Sequence, residues 1–178
     1  MSSAAQVAPE RTVQSDGAGR RTRLRQYQVQ LLERMQAARN NASARVNQLG
    51  VQMGAERFLL DLTQVGEIVP VGSMTVVPLT QPWYLGLANV RGNLISVIDL
   101  ARYQLGTETA IGSDSRLITF ANGLGFNCAL LVSRVYGLRH AAGMETSGDR
   151  LRDADAIEWT PLDLAALVRD TRFLHVGF

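Results

Sequence analysis

The feature that most constrains the fold is the division of the chain after Gly50 into short β-prone segments separated by turn-forming residues. Segments this short are typical of strands and leave no room for long helices. They lie at residues 49–53, 57–62, 68–71, 75–79, 93–100, 116–121, 126–133 and 135–138. Many short strands separated by turns predict small barrels and not a doubly wound sheet. The loop-like composition of residues 107–115 predicts a division into two barrels of similar size.

Turn and helix signals divide this region further. Residues 54–56 and residues 122–125 are predicted to form hairpin turns, the second because an Asn-Gly pair tolerates positive φ angles. Residues 82–88 have room for no more than two helical turns, and one helical turn after the strand at 93–100 ends at Gly106. Residues 140–155 are predicted to be a polar loop. Thr160, Pro161 and Asp163 indicate the start of a final helix over residues 161–168.

The first 45 residues differ from the rest in composition. Residues 1–19 are small and polar and are predicted to be disordered. Residues 20–45 contain no proline or glycine, and their apolar residues recur at helical spacing: Leu24, Tyr27, Leu31, Met35, Ala38 and Ala42. This pattern predicts a basic amphipathic helix, which docks either on the rest of the chain or on a partner. We therefore expect a tail and helix over residues 1–45 and a β domain over residues 46–178.

Charge is distributed unevenly along the chain. Residues 1–50 hold eight arginines and three acidic residues, whereas residues 51–178 hold ten arginines and thirteen acidic residues. We refer to residues 1–45 as the leader. Its arginines either lie on a solvated helix face or form a phosphate or lipid site. A small barrel that binds nucleic acid through this leader is an alternative function. The acidic body counts against that alternative, because nucleic acid is recognised by basic surfaces.

Residues that carry catalysis or bind cofactors are scarce in this chain. It has no lysine and no nucleotide-binding or hydrolase motif. His140 and His175 are far apart in sequence and lie in no metal-binding motif. The one cysteine, Cys128, lies in an apolar strand and is expected to be a buried structural residue. No signal peptide or membrane span is evident, so we expect a soluble cytosolic protein without enzyme activity, cofactor or metal.

The most specific pattern lies at residues 86–100. Gly92 can adopt a backbone conformation that other residues avoid, which permits a sharp turn into the following strand. Asn89 can bond nearby backbone groups and fix that turn. Arg91 is then presented at a tight corner, where its planar guanidinium can pair with a carboxylate. That carboxylate belongs either to this chain or to a partner.

These residues resemble the CheW family, the adaptor proteins of bacterial chemosensory arrays. The family pattern G-x-x-N-x-R-G-x-x-x-P-x-x-D-L is matched by Gly86, Asn89, Arg91, Gly92, Asp99 and Leu100. Residues 65–68 resemble the family's V-x-E-I element, residues 82–86 its P-x-x-x-G lead-in, and residues 130–137 a strand and turn of its second half. The resemblance covers about residues 46–175. It implies a mainly β fold of two SH3-like five-stranded barrels that share a core, with short helices and no catalysis.

The resemblance also implies partners. CheW-like proteins couple the cytoplasmic tips of methyl-accepting chemoreceptors to the regulatory domain of a CheA-type histidine kinase. Exposed apolar residues at the barrel ends would meet the kinase. A cytoplasmic location at receptor arrays follows, without membrane insertion or nucleic-acid binding. The residues that fall where the family contacts the receptor, or shapes that surface, are Val65, Glu67, Gly86, Asn89, Arg91 and Gly92.

Two positions depart from the family pattern. Ser96 stands where the family has proline, and together with the basic helical extension this resembles the PilI branch, which serves the array controlling type IV pili and twitching motility. A flagellar chemotaxis array is the alternative. Ser133 stands where many members carry an aspartate, so no contact of that acid is transferred to this chain.

Overall fold

The computed structural model describes residues 47–178 and, in the leader, Gln30 alone, which is helical. The disorder predicted for residues 1–19 and the rest of the helix predicted over residues 20–45 lie outside these residues. Residues 47–178 contain twelve strands, three short α-helices and two single-turn 3₁₀ helices.

The strands, in chain order, are β1 (Asn47–Met53), β2 (Glu56–Asp61), β3 (Val65–Pro70), β4 (Met74–Thr75), β5 (Tyr84–Val90), β6 (Asn93–Ile98), β7 (Arg116–Phe120), β8 (Cys128–Val132), β9 (Arg134–His140), β10 (Glu145–Ser147), β11 (Arg150–Arg152) and β12 (Glu158–Leu162). The α-helices are α1 (Leu100–Leu105), α2 (Leu164–Leu167) and α3 (Thr171–Leu174).

The strands form two sheets of six. Sheet 1 has the order β10-β11-β12-β2-β1-β9, and sheet 2 has the order β3-β7-β8-β6-β5-β4. Each sheet contains one parallel pair, β12 with β2 and β6 with β8. The predicted mainly β class is confirmed. Each sheet has six strands and not five, and over residues 47–178 neither sheet is closed into a barrel by pairing of its end strands. Residues 107–115 connect α1 to β7. The strands before and after this connection, β6 and β7, both belong to sheet 2, so the connection does not lie between the two sheets.

Strand β8 shows how the sequence builds two hydrophobic cores. All five of its residues are buried. Because side chains alternate along a strand, Cys128, Leu130 and Val132 face the core shared by the two sheets, whereas Ala129 and Leu131 face a second core. A strand buried on both faces needs apolar residues at every position, which explains its uninterrupted apolar sequence.

Sheet 2 curls around this second core. Its end strands, β3 and β4, are joined by residues 71–73 alone. Such a connection spans at most about 14 Å, whereas the ends of a flat six-stranded sheet would lie about 24 Å apart. The two ends must therefore approach each other. The space they enclose is filled by buried residues of sheet 2: Ala88, Val90, Ile95, Val97, Leu117, Ala129 and Leu131.

The short helices close the shared core. Helix α1 begins at its N-cap Asp99 and ends at Gly106, which has a φ of 70°, as the sequence predicts. The rings of Trp83 and Phe173 are stacked with their centroids 5.8 Å apart, and Tyr103 meets both rings edge-on. Helix α3 is thereby packed against α1.

One loop prediction is wrong, and the reason given for a second is wrong. Residues 140–155 contain the hairpin β10–β11 in place of a polar loop. The antiparallel pairing of β7 with β8 is confirmed, but its connection is a 3₁₀ turn in which Gly125, with a φ of 64°, adopts the left-handed conformation. The Asn-Gly pair therefore does not supply the positive φ.

Residues 82–88, predicted to have room for at most two helical turns, run into β5. The predicted start of the final helix is wrong: the helix begins at Leu164 because residues 158–162 form β12. Strand β11 pairs with β12 only as far as Trp159. Beyond Trp159, β12 pairs with β2 on one side and is an edge strand on the other. Pro161 is tolerated there because a proline in an edge strand need not donate a ladder hydrogen bond. Asp163 is the N-cap of α2, and its carboxylate accepts hydrogen bonds from the N–H groups of Ala165 and Ala166.

Candidate functional site

The turn between β5 and β6 presents Arg91 to solvent. Arg91 and Gly92 have φ angles of 51° and 86°, and Val90 pairs with Asn93 across the turn. Positive φ at both central residues is the property of a type I′ hairpin turn. The side-chain oxygen of Asn89 accepts a hydrogen bond of 2.8 Å from the Gly92 N–H. The predicted roles of Asn89 and Gly92 in this turn are confirmed.

A β-bulge in β3 presents Glu67. The register with β7 shifts between Val65 and Ile68, so Gly66 and Glu67 are outside the regular ladder. The Glu67 N–H donates instead to Oγ1 of Thr119 at 2.7 Å. A Cβ atom at Gly66 would overlap this hydroxyl and the carbonyl oxygen of Phe120. Only glycine fits there, and the bulge directs Glu67 away from the core.

The structure brings these two corners together as an ion pair. Nε of Arg91 lies 2.6 Å from Oε2 of Glu67, and the two side chains are 75% and 48% exposed. The guanidinium therefore pairs with a carboxylate of its own chain while most of its surface faces solvent. This contact is made through Nε of the guanidinium. A guanidinium presents five N–H donors, so the pair has capacity for a further acceptor.

Two exposed apolar residues lie next to the ion pair. Ile68 is 44% exposed and follows Glu67 directly, and Leu94 is 62% exposed and pairs across the turn with Asn89. We refer to Glu67, Ile68, Asn89, Arg91 and Leu94 as the ion-pair surface. Neither Ile68 nor Leu94 is predicted from the sequence to be a surface residue, because both lie in apolar segments that predict buried strands.

Two of the predicted site residues, Val65 and Gly86, lie outside the ion-pair surface. Val65 is half-buried and packs against the shared core. Gly86 lies in β5 about 17 Å along the strand from Arg91, at a rise of about 3.4 Å per residue. It has a φ of 129° and lies against the backbone of Thr75 in β4. Gly86 therefore permits the β4–β5 contact and does not belong to the ion-pair surface.

Asp99, the last polar residue of the motif, stabilises the fold from inside. It is 2% exposed, and its carboxylate accepts hydrogen bonds from the N–H and the hydroxyl of Thr109 at 2.8 and 2.7 Å. The Thr109 hydroxyl oxygen also accepts from the Gly54 N–H at 3.1 Å. This network ties the start of α1, the 107–115 segment and the β1–β2 turn together.

The titratable groups with shifted pKa values have structural explanations. Burial raises the pKa of the Cys128 thiol to about 12, so it is protonated and the predicted structural role is supported. The Tyr103 hydroxyl, which donates to Asp170, lowers the pKa of that carboxyl. The Gln64 side chain and two helix N–H groups lower the pKa of Asp163. Each of these acids caps a helix, and none lies on the ion-pair surface.

Residues 47–178 contain no group of three or more histidine, cysteine, aspartate or glutamate side chains that could hold a metal ion. No helix within the described part of the chain is long and apolar enough to cross a membrane. The ion-pair surface combines an exposed ion pair with exposed apolar residues. Such a surface can take part in protein–protein contact, in which complementary charges set orientation.

Comparison with known proteins identifies the family. Residues 48–156, more than half of the chain, match the CheW-like domain family, and the chain belongs to this family. It is 33% identical over 92 residues to Protein PilI of Pseudomonas aeruginosa, an alignment that covers 52% of this chain and 51% of PilI. The chain thus spans about half the length of the curated relative it matches.

The fold is similar to a solved structure, that of the scaffolding protein TtCheW from Thermoanaerobacter tengcongensis. The TM-score is 0.56 at 23% sequence identity, and the match covers 66% of this chain and 88% of that chain. At this identity the likeness shows the fold alone. The predicted membership of the CheW family is confirmed.

Proposed function

We propose that this protein is a non-enzymatic adaptor that couples methyl-accepting chemoreceptors to a CheA-type histidine kinase. The observation that carries the proposal is the exposed Glu67–Arg91 ion pair, formed by the family's motif residues and flanked by Ile68 and Leu94. Membership of the CheW-like domain family supports it. The similarity to PilI favours the chemosensory pathway of type IV pili over a flagellar one.

The ion-pair surface can recognise a receptor tip through complementary charge and apolar contact. The Nη groups of Arg91 can donate to a carboxylate or a helix carbonyl of the receptor, and Glu67 can accept from a receptor donor. Because the pair is formed before binding, the guanidinium is already partly oriented, which reduces the entropy lost on docking. Ile68 and Leu94 supply apolar area beside it. Charges at such a surface determine orientation and partner choice more than affinity.

Weak contacts suffice for this function. Transient signalling contacts commonly bury less than about 1,200 Å² in total. In an array on the cytoplasmic side of the membrane, each adaptor engages receptor and kinase at once, so the effective concentration raises the strength of the whole assembly. We expect the kinase to bind through its regulatory domain on a surface apart from the ion pair.

The test is a pull-down of the tagged full-length protein from its native cytoplasm. We expect a methyl-accepting receptor and a multidomain histidine kinase to be enriched, and Arg91→Glu to lose the receptor while keeping the kinase. Arg134→Glu is the matched control, because Arg134 also forms an exposed ion pair, with Asp114 at 2.9 Å, but lies in sheet 1. Equal receptor recovery by Arg91→Glu and wild type would refute the assignment of the site. Enrichment of a flagellar receptor would refute the pilus pathway.

A further inference from the structure

A polar cavity of about 270 Å³ opens beside the ion pair. Its inner wall consists of the buried residues Ile95, Phe120 and Cys128, and its rim carries three exposed carboxamides: Asn93, Asn122 and Asn127. One water occupies about 30 Å³ in the liquid, so the cavity has room for several waters or for one side chain.

The cavity and the ion-pair surface have no residue in common, but they adjoin each other at Asn93 and Thr119. Asn93 follows the Arg91–Gly92 turn directly. Thr119, which lines the cavity, accepts the hydrogen bond from the Glu67 N–H. A partner docked on both Glu67 and Arg91 therefore lies close to the cavity and can reach it with one side chain.

The rim has polar groups that are available for binding. Asn127 is held by its backbone, since its carbonyl oxygen accepts from the Ser96 N–H at 3.1 Å. The carboxamides of Asn93, Asn122 and Asn127 make no hydrogen bond with the rest of residues 47–178. Each carboxamide presents two donor hydrogens and one acceptor oxygen.

The chemistry of the lining determines which side chain fits. No lining residue is charged, so a carboxylate or an ammonium group would lose its water without gaining an opposite charge. An apolar side chain would remove water from the amides and leave them unpaired. A carboxamide offers both a donor and an acceptor, as the rim does. Glutamine is long enough to enter from a docked helix.

We infer that this cavity is a specificity subsite that accepts a neutral carboxamide side chain, glutamine or asparagine, of the protein that docks on the ion-pair surface. The inference rests on the proposed function, because it requires a partner at that surface. It adds the chemical identity of one partner residue, which the ion pair alone does not define.

The test uses as probe a coiled-coil-stabilised fragment of the cytoplasmic tip of a methyl-accepting receptor from the same cell, titrated against the full-length protein. We expect Asn127→Leu to weaken binding about three- to tenfold, the effect of losing one neutral hydrogen bond. The variant should melt at the wild-type temperature, because Asn127 is held through its backbone. Gln104→Leu is the matched control: Gln104 is an exposed carboxamide on α1 that lines neither the cavity nor the ion pair.

A double-mutant cycle identifies the partner residue. Each glutamine and asparagine of the probe is replaced by alanine and measured against wild type and Asn127→Leu. We expect one position at which the two losses are not additive. If Arg91→Glu abolishes binding while Asn127→Leu and Asn93→Ala leave Kd unchanged, the subsite is refuted and the proposed function stands. Additive losses at every glutamine and asparagine of the probe would also refute the subsite. Failure of the wild-type protein to bind the probe would refute both.

Discussion

Glu67 and Arg91 form an ion pair although β3 and β5 are separated by three strands in the order of sheet 2. In a flat sheet, four strand spacings of about 4.8 Å would hold them about 19 Å apart. Curling of the sheet removes this distance. The curl follows from the short β3–β4 connection and from the apolar core that sheet 2 encloses, so the ion pair is a consequence of the curl and not its cause.

This order of cause and effect predicts a small energetic contribution from the pair. Because both side chains are largely exposed, a double-mutant cycle with Glu67→Ala and Arg91→Ala should give a coupling of about 0.2–1 kcal/mol in the free energy of unfolding. The coupling should decrease in 1 M salt, because salt screens exposed charges. Urea denaturation at low and high salt measures both values. A coupling well above 2 kcal/mol that does not depend on salt would show that the pair holds the sheet closed.

Substitution of the two motif glycines, Gly86 and Gly92, should lower the free energy of unfolding by different amounts. Gly86→Ala places a Cβ against the Thr75 carbonyl and also strains a φ of 129°, so we expect a loss of about 2–5 kcal/mol. Gly92→Ala meets no atom within 4 Å, so only its φ of 86° is strained and the loss should be about 1–2 kcal/mol. Thermal or urea unfolding measures both losses. Gly72→Ala, with open space and no positive φ, is the control and should change stability little. Equal losses for Gly86→Ala and Gly92→Ala would contradict the assigned role of the β4 contact.

The local parts of the site could be predicted from the sequence, whereas its assembly could not. The Asn89–Gly92 hydrogen bond spans three residues and depends on the conformational freedom of glycine, so residue types suffice. The pairing of Arg91 with Glu67 depends on the curl of sheet 2, which arises from contacts between distant segments. In the same way, the helix signals at Pro161 were overridden by parallel pairing of β12 with β2. Propensity is a local quantity, and tertiary pairing can exceed it.

The network around Thr109 should be among the most sensitive polar features of the fold. Thr109→Val preserves the side-chain shape but removes the hydroxyl that donates to Asp99 and accepts from the Gly54 N–H. Leaving buried polar groups unpaired costs about 1–3 kcal/mol. We expect Thr109→Val to destabilise the protein by that amount in urea denaturation. Thr63→Val is the control, because the Thr63 hydroxyl donates to Asp61 at an exposed site. A smaller loss for Thr109→Val than for Thr63→Val would contradict the role of this network.

The loss of stability on acidification should depend in part on the hydrogen bond between Gln64 and Asp163. Nε2 of Gln64 donates to the Asp163 carboxylate at 2.8 Å, and this bond lowers the pKa of Asp163 below its ordinary value of 3.8. A carboxyl whose pKa is lower in the folded state stabilises the protein fully above about pH 3.8. That stabilisation is lost as the pH falls through the folded-state pKa. Gln64→Leu should therefore raise the pKa of Asp163 toward its ordinary value.

Carbon-detected NMR titration of the Asp163 carboxyl in wild type and Gln64→Leu measures this change directly. Because the carboxylate loses its donor, the variant should lose more stability relative to wild type at pH 7 than at a pH below both measured Asp163 midpoints, where the carboxyl is protonated in both proteins. Gln104→Leu, remote from α2 in sequence and exposed, should leave the titration unchanged. Identical Asp163 midpoints in wild type and Gln64→Leu would show that the two helix N–H groups alone hold the pKa down. The pKa of Asp163 would then be independent of Gln64, whose side-chain oxygen would still accept from the Leu164 N–H.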